Sequence, residues 1–488
     1  MENQYDVIII GAGVVGTAIA RELSKYSITV AVIEKELDVS MGTSSRNSGV
    51  LHSGIHYKPG TLRARLNVLG NSLMADLCND LKVKINYLGK LTVAQDEEGV
   101  KSLHMLKDQG HANEVPGLAI LDRDTMRKIQ PDVGGIRALH SPSTGIVCPY
   151  SLTIALAENA YANDCHFYLG HTVTSLHKQE NLFEINASGK RFHSKVLINS
   201  AGLYSADICS MLGIKEYKIY PCRGEYLILD KRLNGSLNVL VYPAPHAKVG
   251  VGIHLTNTVS GNILIGPSHT YQDDPEDYAC TDTIMALLKK EGHELLPNLK
   301  TSDFIRSFSG LRAKQTSPSM GGFKDFVIES REDIKGFVNL VGIESPGLTS
   351  SPAIAVMVKD MVAKLLPLKK KDTFDGTRSG MASYFYQLPD EQKADLVLQN
   401  PDYGEVVCRC EQITKKEVLD AISNPLGVKT INGIKYRSRA MMGRCQGGFC
   451  LPRIVQILEK EFGYNPEDYL LKSKTSPLFI GKMRKEFV

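Results

Sequence analysis

At 488 residues, with 43% hydrophobic and 23% charged side chains, the chain is long enough for two or three domains with sizeable cores. A net charge of +4 is too mild to imply a nucleic-acid partner. No apolar run approaches the ~18 residues of a membrane span. Met1 to Gln4 have neither the basic nor the apolar character of a secretory signal, so a cytoplasmic protein is expected.

Residues 5–10, Tyr-Asp-Val-Ile-Ile-Ile, read as a buried strand. They run into the GxGxxG turn Gly11-Ala12-Gly13-Val14-Val15-Gly16, a helix over 17–26 and a second apolar strand over 28–33 that ends on Glu34. In such a βαβ unit Gly11 permits the tight turn, Gly13 the approach of a pyrophosphate and Gly16 close helix–strand packing. The helix start offers N–H groups to phosphate, and Glu34 can accept ribose hydroxyls. The unit stands at the N-terminus with no second GxGxxG, which suits FAD better than a nicotinamide cofactor.

The next stretch is dense in small and polar residues: Gly42-Thr43-Ser44-Ser45-Arg46-Asn47-Ser48-Gly49, then His52-Ser53-Gly54-Ile55-His56-Tyr57. It reads as a loop against a flat ligand, followed by a helix from about Leu62. A strand over 90–94 and a helix over 99–110 begin a substrate-facing part. Pro149 suits the start of a helix over 151–163. Residues 196–205 are a buried strand ending in small residues, and Gly202 is placed where the chain passes the cofactor again.

Strand signals at 225–229, 239–242, 249–256, 262–266 and 326–330 suggest an antiparallel sheet. A strand over 336–342 and a helix over 353–366 flank Ile343-Glu344-Ser345-Pro346-Gly347, a second place where backbone N–H groups can meet a ligand. Lys369-Lys370-Lys371 end that helix; they could touch anionic lipid heads, but a cationic helix end in water is the plainer reading. Residues 372–404 read as a linker.

Of the ten cysteines, six are scattered among apolar neighbours and read as free thiols. The other four form Cys408-x-Cys410 and Cys445-x4-Cys450. Four thiolates in two close pairs can hold Zn²⁺ or an iron–sulfur cluster, and the tight CxC leans toward iron.

Together, the N-terminal unit, residues 46–54, Asn199-Ser200-Ala201-Gly202-Leu203-Tyr204-Ser205 and residues 342–350 resemble the D-amino-acid-oxidase-like FAD oxidoreductases. Residues 52–66, with Ser309-Gly310-Leu311-Arg312-Ala313-Lys314, resemble L-2-hydroxyglutarate dehydrogenases. The cysteine unit resembles the [2Fe–2S] domain related to bacterioferritin-associated ferredoxin, as fused to anaerobic glycerol-3-phosphate dehydrogenases. The resemblance implies three parts. A Rossmann-like α/β FAD-binding domain takes in about 1–80, 145–215 and 325–371. An α+β substrate domain with an antiparallel sheet takes in about 81–144 and 216–324. After a 372–404 linker comes a small [2Fe–2S] domain over 405–488.

It further implies FAD along Gly11, Gly13, Gly16 and Glu34, with the flavin end held by Thr43, Ser44, Ser45, Asn47 and Ser48 and by Gly342, Gly347, Leu348 and Thr349. The cluster would sit on Cys408, Cys410, Cys445 and Cys450. A cluster beside a flavin argues for a dehydrogenase with an electron-accepting protein partner, because a [2Fe–2S] centre passes single electrons. The expected substrate is a small hydroxy anion. His254, His52 and His56 are the candidate bases, Arg312 the anion clamp, and Tyr57 and Lys314 its assistants. Glycerol-3-phosphate dehydrogenases generally carry Arg, and the hydroxyglutarate branch Tyr, where this chain has His56. Glycerol 3-phosphate is the first expectation, with an L-2-hydroxy acid second and an amino-acid or amine substrate third.

Overall fold

The computed structural model describes residues 3–245, 252–296, 298–380 and 383–481. Its first sheet has eight strands. At its centre Gln4–Ile10 lies parallel to Val30–Glu34 on one side and to Lys190–Asn199 on the other. His166–Leu169 extends the parallel array beyond Val30–Glu34, and Phe337–Val341 does so beyond Leu197 to Asn199. Val7, Ile8 and Ile9 are wholly buried, as expected of a strand covered on both faces. The helices Val14–Leu23, Pro149–Ala162 and Gly347–Ala363 pack together on one face, and Leu62–Asp80 lies against the last of them.

The second sheet has nine strands and is antiparallel except where Leu240–Pro243 runs parallel to Lys90–Ala94. Its longest pair is Tyr220–Leu229 with Phe304–Lys314. Residues 249–251 of the strand expected over 249–256 lie outside the described residues; the strand itself is His254–Asn257.

Two helices that border the crevice between the strand ends begin three residues or more before the sequence pattern implies. The first starts at Val14, inside the glycine turn. The helix expected over 353–366 is Gly347–Ala363, with Pro352 in its interior. Proline there leaves the Leu348 carbonyl without its helical donor. The Ser351 hydroxyl donates to that carbonyl at 2.9 Å, so the helix runs through.

The stretch 372–404 carries the helix Asp390–Gln399, and its start is fastened to the flavin-side helices. Asn159 Nδ2 donates to the Asp375 and Thr377 carbonyls at 3.0 Å, and Arg378 pairs with Glu158 at 2.6 Å. Lys371 pairs with Asp164 at 3.0 Å. Among the described residues, no helix is long and apolar enough to cross a membrane.

The C-terminal unit has its own core, with Ile413, Val418, Ile434, Ile454 and Leu458 at its centre. Three helices, Lys415–Ile422, Ile431–Ser438 and Cys450–Phe462, surround it. It docks through buried charge. Arg437 donates to Asp38 at 2.9 Å and approaches Glu158 at 3.6 Å. Tyr436 stacks on Tyr150 with ring centres 4.8 Å apart. Arg439 reaches both the Tyr150 hydroxyl and Glu411 at 3.0 Å. The tail then returns to the first unit, where the Lys474 ammonium donates to the Gly170 carbonyl at 2.9 Å.

Removing one member of a buried ion pair strands the other charge, at a cost of about 3–5 kcal/mol. Arg437→Met is therefore expected to lower the unfolding free energy of the C-terminal unit by that order, read from the shift of its urea midpoint. Adding Asp38→Asn should recover most of the loss.

Candidate functional site

The carboxyl ends of the parallel strands meet at one edge of the first sheet, the usual ligand crevice of open α/β sheets. Gly11 follows Gln4–Ile10 there with φ +105°, and a Cβ on it would lie 2.6 Å from the Ser200 carbonyl oxygen. A Cβ on Gly16 would lie 2.0 Å from the Gly11 oxygen, so helix and turn touch. At Gly13 a Cβ would meet only Ser44 Oγ at 3.0 Å, leaving the backbone open toward the crevice. The Glu34 carboxylate accepts the Ala12 N–H at 2.7 Å with one oxygen and the Glu36 N–H at 2.9 Å with the other. Each oxygen keeps a lone pair for a ligand hydroxyl. Val14 N–H donates to Ser44 Oγ at 2.8 Å and fastens the 42–48 loop to the helix start. These groups fit an extended dinucleotide.

A cavity of about 1340 Å³ continues from this edge to the inner face of the second sheet. It exceeds the roughly 300–1,000 Å³ of ordinary small-molecule pockets. Gly11, Gly13, Glu34, Thr43, Ser44, Asn47, Ser48, Gly202, Gly347 and Leu348 line it. Gly16, Ser45, Gly342 and Thr349 stand outside the lining. Thr349 acts on the wall instead: its hydroxyl accepts the His52 N–H at 3.0 Å.

All six residues expected to meet substrate line the far end: His52, His56, Tyr57, His254, Arg312 and Lys314. Gly310, Arg312 and Lys314 alternate on one face of Phe304–Lys314. Arg312 donates to the Ser268 carbonyl at 3.2 Å, and Lys314 to the Gly322 carbonyl at 2.7 Å. Both Tyr57 and His52 reach Ser345 Oγ, at 3.3 and 3.4 Å. The His254 ring stacks on Tyr242 with centres 3.8 Å apart.

Three residues of this end were not singled out from the sequence. Lys90 is wholly buried, and its ammonium lies 3.1 Å from His56 Nε2. Tyr242 supports both His254 and Lys90, whose nitrogen sits 4.9 Å from the ring centre. Arg63 pairs with buried Glu344 at 3.2 Å behind Tyr57. The one local hint was a lysine opening an apolar strand.

Burial, and then the Lys90 charge, depress the three imidazoles. His52 and His254 are pushed down to about 3, and His56 falls well below its ordinary value. All three are neutral near pH 7 and carry a lone pair. Burial likewise holds Lys90 down to about 7.

The four cysteines pair across the two motifs, Cys408 with Cys450 and Cys410 with Cys445, the latter sulfurs 3.7 Å apart. Two pairs side by side fit two irons with two thiolates each. Backbone N–H groups of Met441 and Glu411 point at Cys408, and those of Phe449 and Gly447 at Cys445. These donors favour thiolate and sulfide charge. Replacing Cys408 or Cys445 by Ser is expected to drop bound iron from two atoms per chain to near none, measured by metal analysis, while flavin content holds.

The chain matches the family model described as FAD dependent oxidoreductase over residues 6–361. It matches the model of the BFD-like [2Fe-2S] binding domain over residues 406–460. It is 37% identical to a glycerol 3-phosphate dehydrogenase of Caloramator mitchellensis over 99% of both chains. It is 30% identical to the mitochondrial L-2-hydroxyglutarate dehydrogenase of Arabidopsis thaliana, over 72% of this chain and 82% of that one. Among solved structures, the dithionite-reduced, FAD-bound L-α-glycerophosphate oxidase of Mycoplasma pneumoniae superposes with a TM-score of 0.72 and 28% identity, over 78% of this chain and all of that one. A dinucleotide crevice opening on a cation-rich pocket, with paired thiolates beyond it, agrees with these matches: the chain belongs to the FAD dependent oxidoreductase family and carries a BFD-like [2Fe–2S] binding domain behind its flavin unit.

Proposed function

We propose that the chain oxidises the secondary alcohol of sn-glycerol 3-phosphate to dihydroxyacetone phosphate and hands the electrons on, one at a time, to a protein acceptor. The observation that carries this reading is the likeness to the Caloramator enzyme over 99% of both chains, a span that takes in both cofactor units. The chemistry of the cavity agrees. Its far end offers Arg312 and Lys314 to an anion and neutral imidazoles to a hydroxyl proton.

Arg312 grips the anionic group, since a guanidinium matches phosphate in two-point contact. Its grip is preset by the Ser268 carbonyl, and Gly224 leaves it room: a Cβ there would lie 2.9 Å from Arg312 Nη2. His52 takes the hydroxyl proton. Its backbone is fixed on both sides, the N–H by the Thr349 hydroxyl and the carbonyl by Asn67 at 2.9 Å and Asn71 at 3.1 Å, and its ring Nε2 lies 3.4 Å from Ser345 Oγ. Burial first, and the Lys90 charge second, depress the basicity of His52; a phosphate dianion offsets the second of these and raises the affinity of the imidazole for a proton. Tyr57 and Ser345 orient the substrate, and His254 is the second candidate base. When bound, FAD supplies hydride acceptance and the cluster single-electron transfer.

The hydroxyglutarate reading keeps one observation in its favour. Gly252-Ile253-His254-Leu255-Thr256 places His254 on a strand facing the cavity, in the pattern that resembles that branch. Anaerobic flavin bleaching decides between them. Glycerol 3-phosphate is expected to bleach the flavin fully; bleaching by L-2-hydroxyglutarate, L-lactate or L-proline in its place would overturn the assignment.

His52→Asn is expected to slow reduction by about 10²–10⁴-fold with little change in substrate affinity. Arg312→Met should instead weaken substrate binding, by roughly 10–100-fold, from loss of a charged hydrogen bond. Full reduction rates in the Asn variants of His52, His56 and His254 alike would exclude an imidazole base.

A further inference from the structure

Lys90 is the first residue of the strand Lys90–Ala94, held between Arg137–Ser141 and Leu240–Pro243. Alternation sends Leu91 and Val93 into the core of the second sheet and Lys90 to the opposite face. There the ammonium is sealed under the cavity wall. Its neighbours are His56, whose Nε2 it meets at 3.1 Å, the Tyr242 ring, and the imidazoles of His52 and His254. None of these is an anion. A buried cation without a carboxylate is costly: it either gives up its proton more readily, as Lys90 does, or takes a counter-charge from a bound anion.

His56 lines the cavity, and with Nε2 turned to Lys90 the ring nitrogen left for a ligand is Nδ1. An ammonium has donors only, so Nε2 must accept from it, and the ring proton must sit on Nδ1. While Lys90 keeps its proton, the imidazole works as a fixed donor with a positive charge behind it.

We propose that Lys90 and His56 together form the anion-recognition wall of the substrate pocket, Lys90 acting as a positioning residue through the imidazole. The proposal rests on the substrate reading above for the identity of the anion, a phosphate or carboxylate on a small hydroxy compound. It excludes His56 as the base, since its Nε2 lone pair is engaged. It also predicts a direction with pH. Once Lys90 loses its proton, the amine can accept from Nε2–H, and the cavity-side nitrogen turns from donor to acceptor. Anion binding is then strong while Lys90 is charged and weakens as pH rises past about 7.

The test uses the flavin-loaded full chain and two probes: glycerol 3-phosphate as reductant, and sulfate as an inert dianion whose charge is constant near neutrality. Sulfate binding is read from perturbation of flavin absorbance. In the wild-type protein its affinity is expected to fall on going from pH 6 to pH 9. Lys90→Met should weaken sulfate by about tenfold or more at pH 6, flatten the pH profile, and raise KM far more than it lowers kcat. Lys90→Arg should hold sulfate tightly through pH 9, because its charge persists.

Lys90→Met with wild-type sulfate affinity would overturn the proposal, as would a wild-type protein that binds no sulfate. Should Lys90→Met fail to retain flavin, the Lys90→Arg profile decides: flat supports the wall, a wild-type fall overturns it. Lys90-dependent sulfate binding without bleaching by glycerol 3-phosphate would sink the substrate reading and leave the wall standing.

Discussion

The molecule depends on the parallel pairing of Gln4–Ile10 with Val30–Glu34 and Lys190–Asn199. The first two belong to one local unit and the third lies far along the chain, yet the pairing aligns their ends, so that Gly11, Glu34 and Ser200 meet within one crevice. Lys190–Asn199 is the pivot. Its first half is paired by the antiparallel strand Leu182–Ala187, and its last three residues by Phe337–Val341. That exchange of neighbours admits the turn at 342–348 to the cavity. A buried polar tie, Asn199 Nδ2 donating to Asn339 Oδ1 at 2.9 Å, locks the exchange in register.

The second sheet turns this crevice into a pocket with two characters. Near the first sheet it presents glycines, hydroxyls and one pinned carboxylate, the groups a dinucleotide needs. Near the second it presents Arg312 and Lys314 with three uncharged imidazoles, and Lys90 behind them. Buried positive charge is the electrostatic theme of that end. Glu344, the buried carboxylate there, is already engaged by Arg63. An incoming anion therefore meets an unneutralised field, which selects for charge before shape.

Much of this was legible in the chain because it is local. The glycine turn, the small-residue loop, the histidines and the cysteine spacings are each contained in a few neighbouring residues. The parts that escaped depend on register and on contacts across hundreds of residues. Lys90 looks like an ordinary strand opener until pairing with 137–141 and 240–243 directs its side chain to His56. The cysteines read as two motif-wise pairs, whereas the fold pairs them crosswise. The stretch 372–404 reads as a spacer because its composition is polar, but Asn159 and Asn163 hold its backbone down. The tie between Arg437 and Asp38 could not be anticipated from either segment alone.

The order in which strands are laid into the first sheet bears on when a cofactor can enter. Its central strand leaves the ribosome first, but its pivot follows some way behind and Phe337–Val341 later still. Non-local pairing of this kind forms slowly and leaves apolar surface open meanwhile. The pocket cannot close around a flavin until the turn at 342–348 has been synthesised. A complete cofactor pocket thus needs chain from both ends of the first 348 residues, and a truncation before the 342–348 turn removes part of its wall.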